Sequence, residues 1–584
     1  MNYPIWELPA AGLLIALVAI VHVLVSHFAV GGGLFLVVTE RKARREGDAT
    51  LLAWLQRHTR FFVLLTLVFG ALTGVGIWFT IALVNPSATS SLINTFVWGW
   101  AIEWTFFVIE IAAAMVYYYG WQRMSPRTHE QVGWIYFGAA WASMIIINGI
   151  LSYMMTPGDW VRNRSFWSGF FNETYFPSLV LRTFVAMGLA GIYALLTTSW
   201  SRDGSLKKKM AVYAGTWWIL PMAVAIPLAL VWYLVAAATA GVPTAEILGA
   251  DGPGLGSTIV ALFTASGESG YPTAQIAALT SILASAAVIV MVVMILTVRR
   301  STYGWLSTGL VLALSLVAMG GGEWMREDLR KPYVIGGYMF VNGVRLPAPD
   351  VVPAPPPEAA SQGDDAFAVD RMQTEGLLAT ARWIRPALET DTSLEPEAVA
   401  AARSRRGEAL FRLACSGCHT VEGYQGIQPL VQGQSVTALE RILGNLALPV
   451  DSEGEPVAWS DPDVRLATWR GRRMPPFPGS DEERLDLAIY LARLGGDPRA
   501  GMAVETASTD LGRTLYQDYC SICHDPGADW PMAERIRGRD ADQLFEVLGR
   551  LPEINENMPP FEGSDEERRA LATYLVTLDA GGER

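Results

Sequence analysis

Cysteine, histidine and charge are all scarce in this chain. Of its 584 residues only four are cysteine and six are histidine, and 17% are charged. The net charge is -12. That excludes a nucleic-acid partner, which needs cationic patches to displace counterions. A phosphate-cradling Gly-rich loop is also missing, because Gly31-Gly32-Gly33 lies inside an apolar stretch. No low-complexity block of like charge occurs. What fills the chain is apolar: 51% of residues are hydrophobic and 11% aromatic. That is too apolar for a soluble protein of this length, and the length calls for several domains.

All four cysteines fall in two motifs, Cys415-Ser416-Gly417-Cys418-His419 and Cys520-Ser521-Ile522-Cys523-His524. Two thiols at this spacing can form thioethers to both vinyl groups of one haem, and the adjacent His can ligate its iron. A disulfide would leave each His unexplained. A zinc ribbon would hold its Cys pairs far closer together. The motifs therefore predict two covalent c-type haems, with His419 and His524 as iron ligands. Haem attachment of this type occurs outside the cytoplasm, and its chemistry is electron transfer.

A helix needs about 20 apolar residues to cross the ~30 Å hydrocarbon layer. Eight runs qualify, at roughly 8–38, 60–84, 96–120, 131–156, 173–200, 214–240, 274–298 and 303–324. Basic residues follow the first (Arg41, Lys42, Arg44, Arg45), third (Arg123, Arg127), fifth (Arg202, Lys207, Lys208, Lys209) and seventh (Arg299, Arg300). These are alternate loops, so they share the cytoplasmic face. The N-terminus and everything after the eighth run then lie outside, where the haem motifs must be. The expectation is a multi-pass protein of the bacterial inner membrane with a periplasmic tail. The first run is not expected to be a cleaved signal, because its basic residues follow it.

A Pro-rich stretch, Leu346-Pro347-Ala348-Pro349 and Pro353-Ala354-Pro355-Pro356-Pro357, predicts an extended linker. A short helical segment around Asp370–Arg385 follows it. The tail then repeats itself. Met474-Pro475-Pro476-Phe477-Pro478-Gly479-Ser480-Asp481-Glu482-Glu483-Arg484 returns as Met558-Pro559-Pro560-Phe561-Glu562-Gly563-Ser564-Asp565-Glu566-Glu567-Arg568. Ser480 and Ser564 each precede a Glu three residues on, which predicts a capping box opening the closing helix of each module. An insertion around Pro449–Pro462 is confined to the first module. Each haem motif is delivered by an opening helix (Gly407-Glu408-Ala409-Leu410-Phe411; Gly512-Arg513-Thr514-Leu515-Tyr516). This order resembles class I cytochrome c. The resemblance implies crossed opening and closing helices, and Met474 and Met558 as the second iron ligands, a His–Met pairing that raises potential.

The four remaining histidines are His22, His27, His58 and His129. His58 and His129 lie near helix ends beside Arg57, Arg60 and Arg127 and read as solvated interfacial residues. His22 and His27 lie inside the first span, where a titratable group is expensive and usually functional. Five residues apart, they point about 140° from each other and can serve different partners. Glu103 and Glu110 share one face of the third span, and Glu323 and Glu327 sit at the outer end of the eighth.

These stretches resemble subunit I of the cytochrome bd oxidases. The likeness is carried by His22-Val23-Leu24-Val25-Ser26-His27-Phe28-Ala29-Val30-Gly31, Phe69-Gly70-Ala71-Leu72-Thr73-Gly74, Ile102-Glu103, Ile109-Glu110, Ile147-Asn148-Gly149 and Arg326-Glu327-Asp328-Leu329-Arg330-Lys331-Pro332-Tyr333. It implies His22 and Glu327 as active-site haem ligands and Arg330 as a propionate or charge partner. It also implies Glu103 and Glu110 as proton-delivering carboxylates, and one or more b-type or d-type haems in the membrane domain. His27 is a candidate second ligand. Three departures stand out, one of them the absence of that family's ninth helix. Arg182 occupies the place of that family's low-spin haem histidine, and only Gly241–Pro272 stands where its quinol loop would be.

The predicted fold is all-α: an eight-helix transmembrane haem bundle (1–340), a linker with a short helical segment (341–403), and two small cytochrome c domains (404–497 and 505–584). The expected activity is that of a bd-like terminal oxidase. A soluble periplasmic carrier would feed it through its own c haems, and a second membrane subunit or a homodimer would complete it. A quinol dehydrogenase running electrons outward, which needs a quinol pocket and a six-coordinate b haem to which His58 or His129 with the Trp98, Trp100 and Trp104 belt would have to contribute, a nitric-oxide-type reductase, and a non-catalytic electron-transfer subunit remain alternatives.

Overall fold

The computed structural model describes residues 11–248, 272–346, 368–380, 396–446 without 424, 474–501 without 499, 508–524, and 532–580 without 538, 556, 557, 562 and 564, together with 457 and 464. The Pro-rich linker lies outside the described residues, as does nearly all of the first-module insertion. The chain divides into two units, one from the described residues of 3–369 and 447–475, the other from those of 370–446 and 476–584.

In the first unit, eight helices are long and apolar enough to cross a membrane: α1 (Gly12–Glu46), α2 (Ala49–Val84), α3 (Val97–Gly120), α4 (Pro126–Met155), α5 (Tyr175–Ser199), α6 (Gly204–Thr239), α7 (Thr273–Thr297) and α8 (Trp305–Arg330). All eight expected spans are present, and several run past the apolar core of their sequence. At 35 residues, α1 is roughly 52 Å long, so it carries Arg41 to Arg45 beyond the hydrocarbon. The extension of α8 brings Glu327 and Arg330 into the helix itself. Helix starts follow local chemistry: the Asp48 carboxylate accepts from Leu51 N (2.9 Å), and Ser125 Oγ accepts from Thr128 N (3.2 Å).

Helices α1 and α5 are central, while α3 pairs with α4 and α7 with α8. The outward faces carry Leu72, Val75, Trp98, Trp104, Val224, Leu228 and Val290, an apolar coat that suits lipid. The centre is built on glycine. A Cβ on Gly31 would lie 1.9 Å from the Ala186 carbonyl of α5, one on Gly32 2.7 Å from the Phe62 ring of α2, and one on Gly33 2.4 Å from the Tyr136 ring of α4. Three consecutive glycines thus let three different helices reach the α1 backbone at one level. In α2, a π-helical segment, Leu64–Gly70, interrupts the α-helix just before the turn that faces His22.

After α8 the chain makes an antiparallel pair, β1 (Tyr333–Ile335) and β2 (Met339–Phe340). It is tied to the bundle by Gly336 N donating to Met154 O (2.9 Å) and Asn85 Nδ2 donating to Val341 O (3.0 Å). Among the described residues, this small hairpin is the one sheet that departs from the all-α expectation.

The second unit contains α9 (Pro396–Ala414), α10 (Val436–Gly444), α11 (Asp481–Leu494), α12 (Ser508–Tyr519) and α13 (Asp565–Ala580). The opening helices α9 and α12 cross the closing helices α11 and α13 in the same way. A Cβ on Gly407 would lie 2.1 Å from Asp486 O and 2.6 Å from Tyr490 Cβ; one on Gly512 would lie 2.2 Å from Ala570 O and 2.6 Å from Tyr574 Cβ. The sequence repeat is therefore a structural repeat, down to the contact atoms.

Gly31→Ala should destabilise the bundle by about 2–3 kcal/mol, because a backbone carbonyl cannot yield as a side chain can. Gly138→Ala, with nothing within 4 Å of the new Cβ, should be neutral or better. Thermal denaturation of the purified protein in detergent checks the pair.

Candidate functional site

The haem motifs come first. Helix α9 ends at Ala414, and the chain turns so that the backbone N–H groups of Cys415 and His419 donate to Phe411 O (2.8 Å) and Cys415 O (2.9 Å). His419 Nδ1 donates to Gln425 O (3.1 Å), which leaves Nε2 as the free ligand atom. Gln425 has a φ of 51°, the turn that presents this carbonyl. Anchoring one imidazole nitrogen while the other points to metal is how a protein fixes a ligand's tautomer and orientation. In the second module, Tyr516 Oη donates to His524 O (2.8 Å). Cys415 is partly exposed, Cys418 is exposed and Cys520 is buried.

The two Met loops fold alike, since a Cβ on Gly479 or Gly563 would strike the Phe477 or Phe561 ring at 2.5 Å and 2.6 Å. Met474 is 42% exposed and Met558 is half-buried, so neither packs as core filler. The Ser480–Glu483 capping box forms, with Glu483 N donating to Ser480 Oγ (3.3 Å) and Ser480 N donating to the Glu483 carboxylate (3.0 Å). Its counterpart at Ser564 lies outside the described residues. The segment whose role the sequence left unread also finds a place. The Glu483 carboxylate takes the N–H groups of Leu377 (2.6 Å) and Leu378 (2.8 Å), and Gln373 Nε2 donates to Phe477 O (3.1 Å).

In the bundle, His22 Nδ1 hydrogen-bonds Thr73 Oγ1 (3.0 Å), and Gly74 leaves room beside its ring. His22 Nε2 has no hydrogen-bond partner among the described residues. His27 is buried, with Nδ1 bonded to Val23 O (2.8 Å), and it faces the charges of Arg182 and Glu323. The two rings serve different partners, as their angular separation requires. In each, the second ring nitrogen has no hydrogen-bond partner among the described residues, so both fit haem iron. Glu327 is engaged differently: its carboxylate receives Arg326 Nη2 (2.9 Å) and the Arg330 guanidinium, while Arg330 Nη1 donates to Val334 O (2.7 Å). Arg182 pairs with Glu323 (3.9 Å), which also receives Arg326 Nε (2.8 Å). A guanidinium in that network is no haem ligand.

Glu103 and Glu110 do share a face. Both reach α4, where Ser143 Oγ donates to Glu103 (3.0 Å) and Tyr136 Oη donates to Glu110 (3.0 Å).

His58 and His129 correct the expectation of solvated interfacial residues, because both are buried. Aromatic residues and an acidic partner supply the reason, and sequence proximity to arginines pointed the wrong way. His129 Nδ1 meets the Glu40 carboxylate (2.9 Å) and Nε2 meets Tyr117 O (2.8 Å), while Tyr117 Oη donates to the same carboxylate (2.7 Å). Arg44 completes the group at 2.7 Å from Glu40. His58 Nδ1 bonds Thr197 Oγ1 (2.8 Å) and its ring stacks on Trp54 at 4.9 Å. Both nitrogens of His129 are occupied, which removes it as a ligand for a six-coordinate haem. The sequence signal missed was Glu40, an acid four residues before Arg44 and near the end of an otherwise apolar helix.

Residues 11–250 match the family model of cytochrome bd terminal oxidase subunit I. The membrane half is cytochrome bd subunit I-like. Residues 507–575 match the model of cytochrome c oxidase, cbb3-type, subunit III, which covers the second haem module. The chain is also similar to the structure of bd oxidase from Geobacillus thermodenitrificans, at 18% identity over 57% of this chain and 89% of that one, with a TM-score of 0.41. No curated protein matches it. His22, His27, Glu103 and Glu110 fall inside the bd-like segment, whereas Glu327 and Arg330 lie beyond it. The chain is thus a multi-pass, bd-oxidase-like membrane haem protein carrying a cytochrome c domain.

His22→Ala should remove one membrane haem and leave the c haems in place. Pyridine haemochrome analysis reads this directly, and an unchanged non-covalent haem content would strike His22 from the ligands.

Proposed function

We propose that this protein is a bd-like terminal oxidase that reduces oxygen to water, with electrons delivered by a soluble periplasmic carrier through its own two c haems. The observation that carries this reading is His22. It lies inside the bd-like segment with Nδ1 anchored to Thr73 and Nε2 unengaged, in the same chain as two haem-attachment motifs. The basic loops after α1, α3, α5 and α7 support an orientation that puts the N-terminus and the c modules on the periplasmic side. A second membrane subunit or a homodimer would cover part of the apolar surface.

Each oxygen molecule must receive four electrons and four protons to give two waters. Bound haem supplies the redox and oxygen-binding chemistry, as one or more b-type or d-type haems in the bundle and two c haems in the tail. The protein's own residues supply the rest. His22, its ring steadied by Thr73, would hold haem iron, and His27 would be a second ligand. Arg326 and Arg330 hold the Glu327 carboxylate at the end of α8, where it can ligate iron or balance the charge of the haem beside it. Glu110 and Glu103, steadied by Tyr136 and Ser143, hold and pass protons through a region that water enters poorly. His419 and His524, together with Met474 and Met558, would hold the two relay haems.

Two measurements test this. The reduced protein should bind carbon monoxide at a membrane haem, and it should consume oxygen with reduced cytochrome c as donor. Low-spin haem blind to carbon monoxide would overturn the oxidase reading and favour a conduit. Glu110→Gln should slow oxygen uptake about 10–100-fold while leaving the haem spectra unchanged.

A further inference from the structure

Among the described residues, the two c modules meet at the foot of the second haem motif. Ser435 caps α10 of the first module, accepting from Ala438 N (3.1 Å), and its hydroxyl also donates to the Asp518 carboxylate of the second module. Asp518 is 2% exposed. From the same helix, Arg441 donates through Nη2 to Asp518 O, and its guanidinium lies 4.8 Å from the centre of the Tyr519 ring. Tyr519 in turn packs on Phe561 at 5.0 Å, the Phe of the second Met-Pro-Pro-Phe loop. The Asp518 carboxylate lies within reach of the Arg441 charge, so replacing Arg441 would leave that buried acid uncompensated beside the second haem motif.

The repeat exposes how local this arrangement is. The first haem motif is preceded by Leu413-Ala414, the second by Asp518-Tyr519. The two residues that differ are the two that receive Ser435 and Arg441. Tyr519 is bonded directly to Cys520, a thioether position, and it touches the loop that carries Met558. A fixed positive charge in this place stabilises the reduced state of a neighbouring haem, which carries one charge fewer than the oxidised state.

We propose that α10 of the first module is a docking and tuning element for the second. Ser435 and Asp518 lock the modules in one relative position, and Arg441 raises the reduction potential of the second c haem above the value its own module would give. One electron then passes between two fixed irons, one oxidised as the other is reduced, with no proton or further reactant required. The inference depends on the c haems and not on the oxidase reading, so failure of one leaves the other standing.

The test is an anaerobic redox titration of the full-length protein in detergent, following the c-haem bands. A variant with Cys520→Ala and Cys523→Ala keeps only the first c haem and assigns its midpoint. With Arg441→Gln, the second haem should become harder to reduce. At a fixed ambient potential its reduced-to-oxidised ratio should fall about threefold to tenfold, tenfold being about 59 mV for a one-electron couple. The first haem should not move, and Arg441→Lys should restore most of the shift. Unchanged midpoints, or equal shifts at both haems, would overturn the tuning. Docking has its own readout, hydrogen exchange across Val436–Gly444. Ser435→Ala and Asp518→Asn should each speed exchange there. Unaltered protection in both would overturn the lock.

Discussion

The membrane bundle depends on a close approach that only glycine allows. At Gly31, Gly32 and Gly33 the helices α5, α2 and α4 bear on the α1 backbone from three directions. Lipid gives helices little hydrophobic reason to associate, so their packing rests on contact area and on the few polar bonds they share. Drawing three neighbours in at one level fixes the spacing of everything attached to them. His22 and His27 lie within three turns of this level on α1, Tyr136 projects from α4, and Arg182 sits one turn before Ala186 on α5. Placement of the candidate ligands, and of Tyr136 with the Glu110 carboxylate it bonds, is therefore a consequence of backbone contact.

Polar groups in the bundle obey a second constraint. Each charge buried there has found company. Glu40 is shared by His129, Tyr117 and Arg44, Glu323 by Arg182 and Arg326, and Glu327 by Arg326 and Arg330. Unpaired charge would be costly in so apolar a setting, and its pairing is what keeps it there. Glu103 and Glu110 are the contrast. Among the described residues their partners are the hydroxyls of Ser143 and Tyr136, which can give or take a hydrogen bond without neutralising a charge. That distinction separates carboxylates fixed by ion pairs from carboxylates able to exchange a proton.

Much of this was legible in the chain. The eight spans, the repeated modules, the capping box at Ser480 and the shared face of Glu103 and Glu110 follow from periodicity and spacing, which are local. The hidden parts are those set by tertiary packing. Nothing around His129 announces that Glu40, 89 residues away, closes on it, and neighbouring arginines suggested solvent. Arg182 was visible as an anomaly, but its meaning came only with Glu323 across the helix pair. The segment near Gln373 had no readable role because its partner, Glu483, looked fully employed as a cap.

Glu483 carries that lesson further. Its carboxylate closes its own helix and also receives two backbone N–H groups from the chain arriving along 377–378. One side chain thereby makes two distant stretches share a fate: neither the end of the tether nor the start of the closing helix can open without exposing the other's buried bonds. They belong to one cooperative unfolding unit, although more than a hundred residues separate them in sequence. The Met474 loop, which leads directly into that helix, inherits the bond. Tension applied through the linker would be felt first at the edge of a haem pocket.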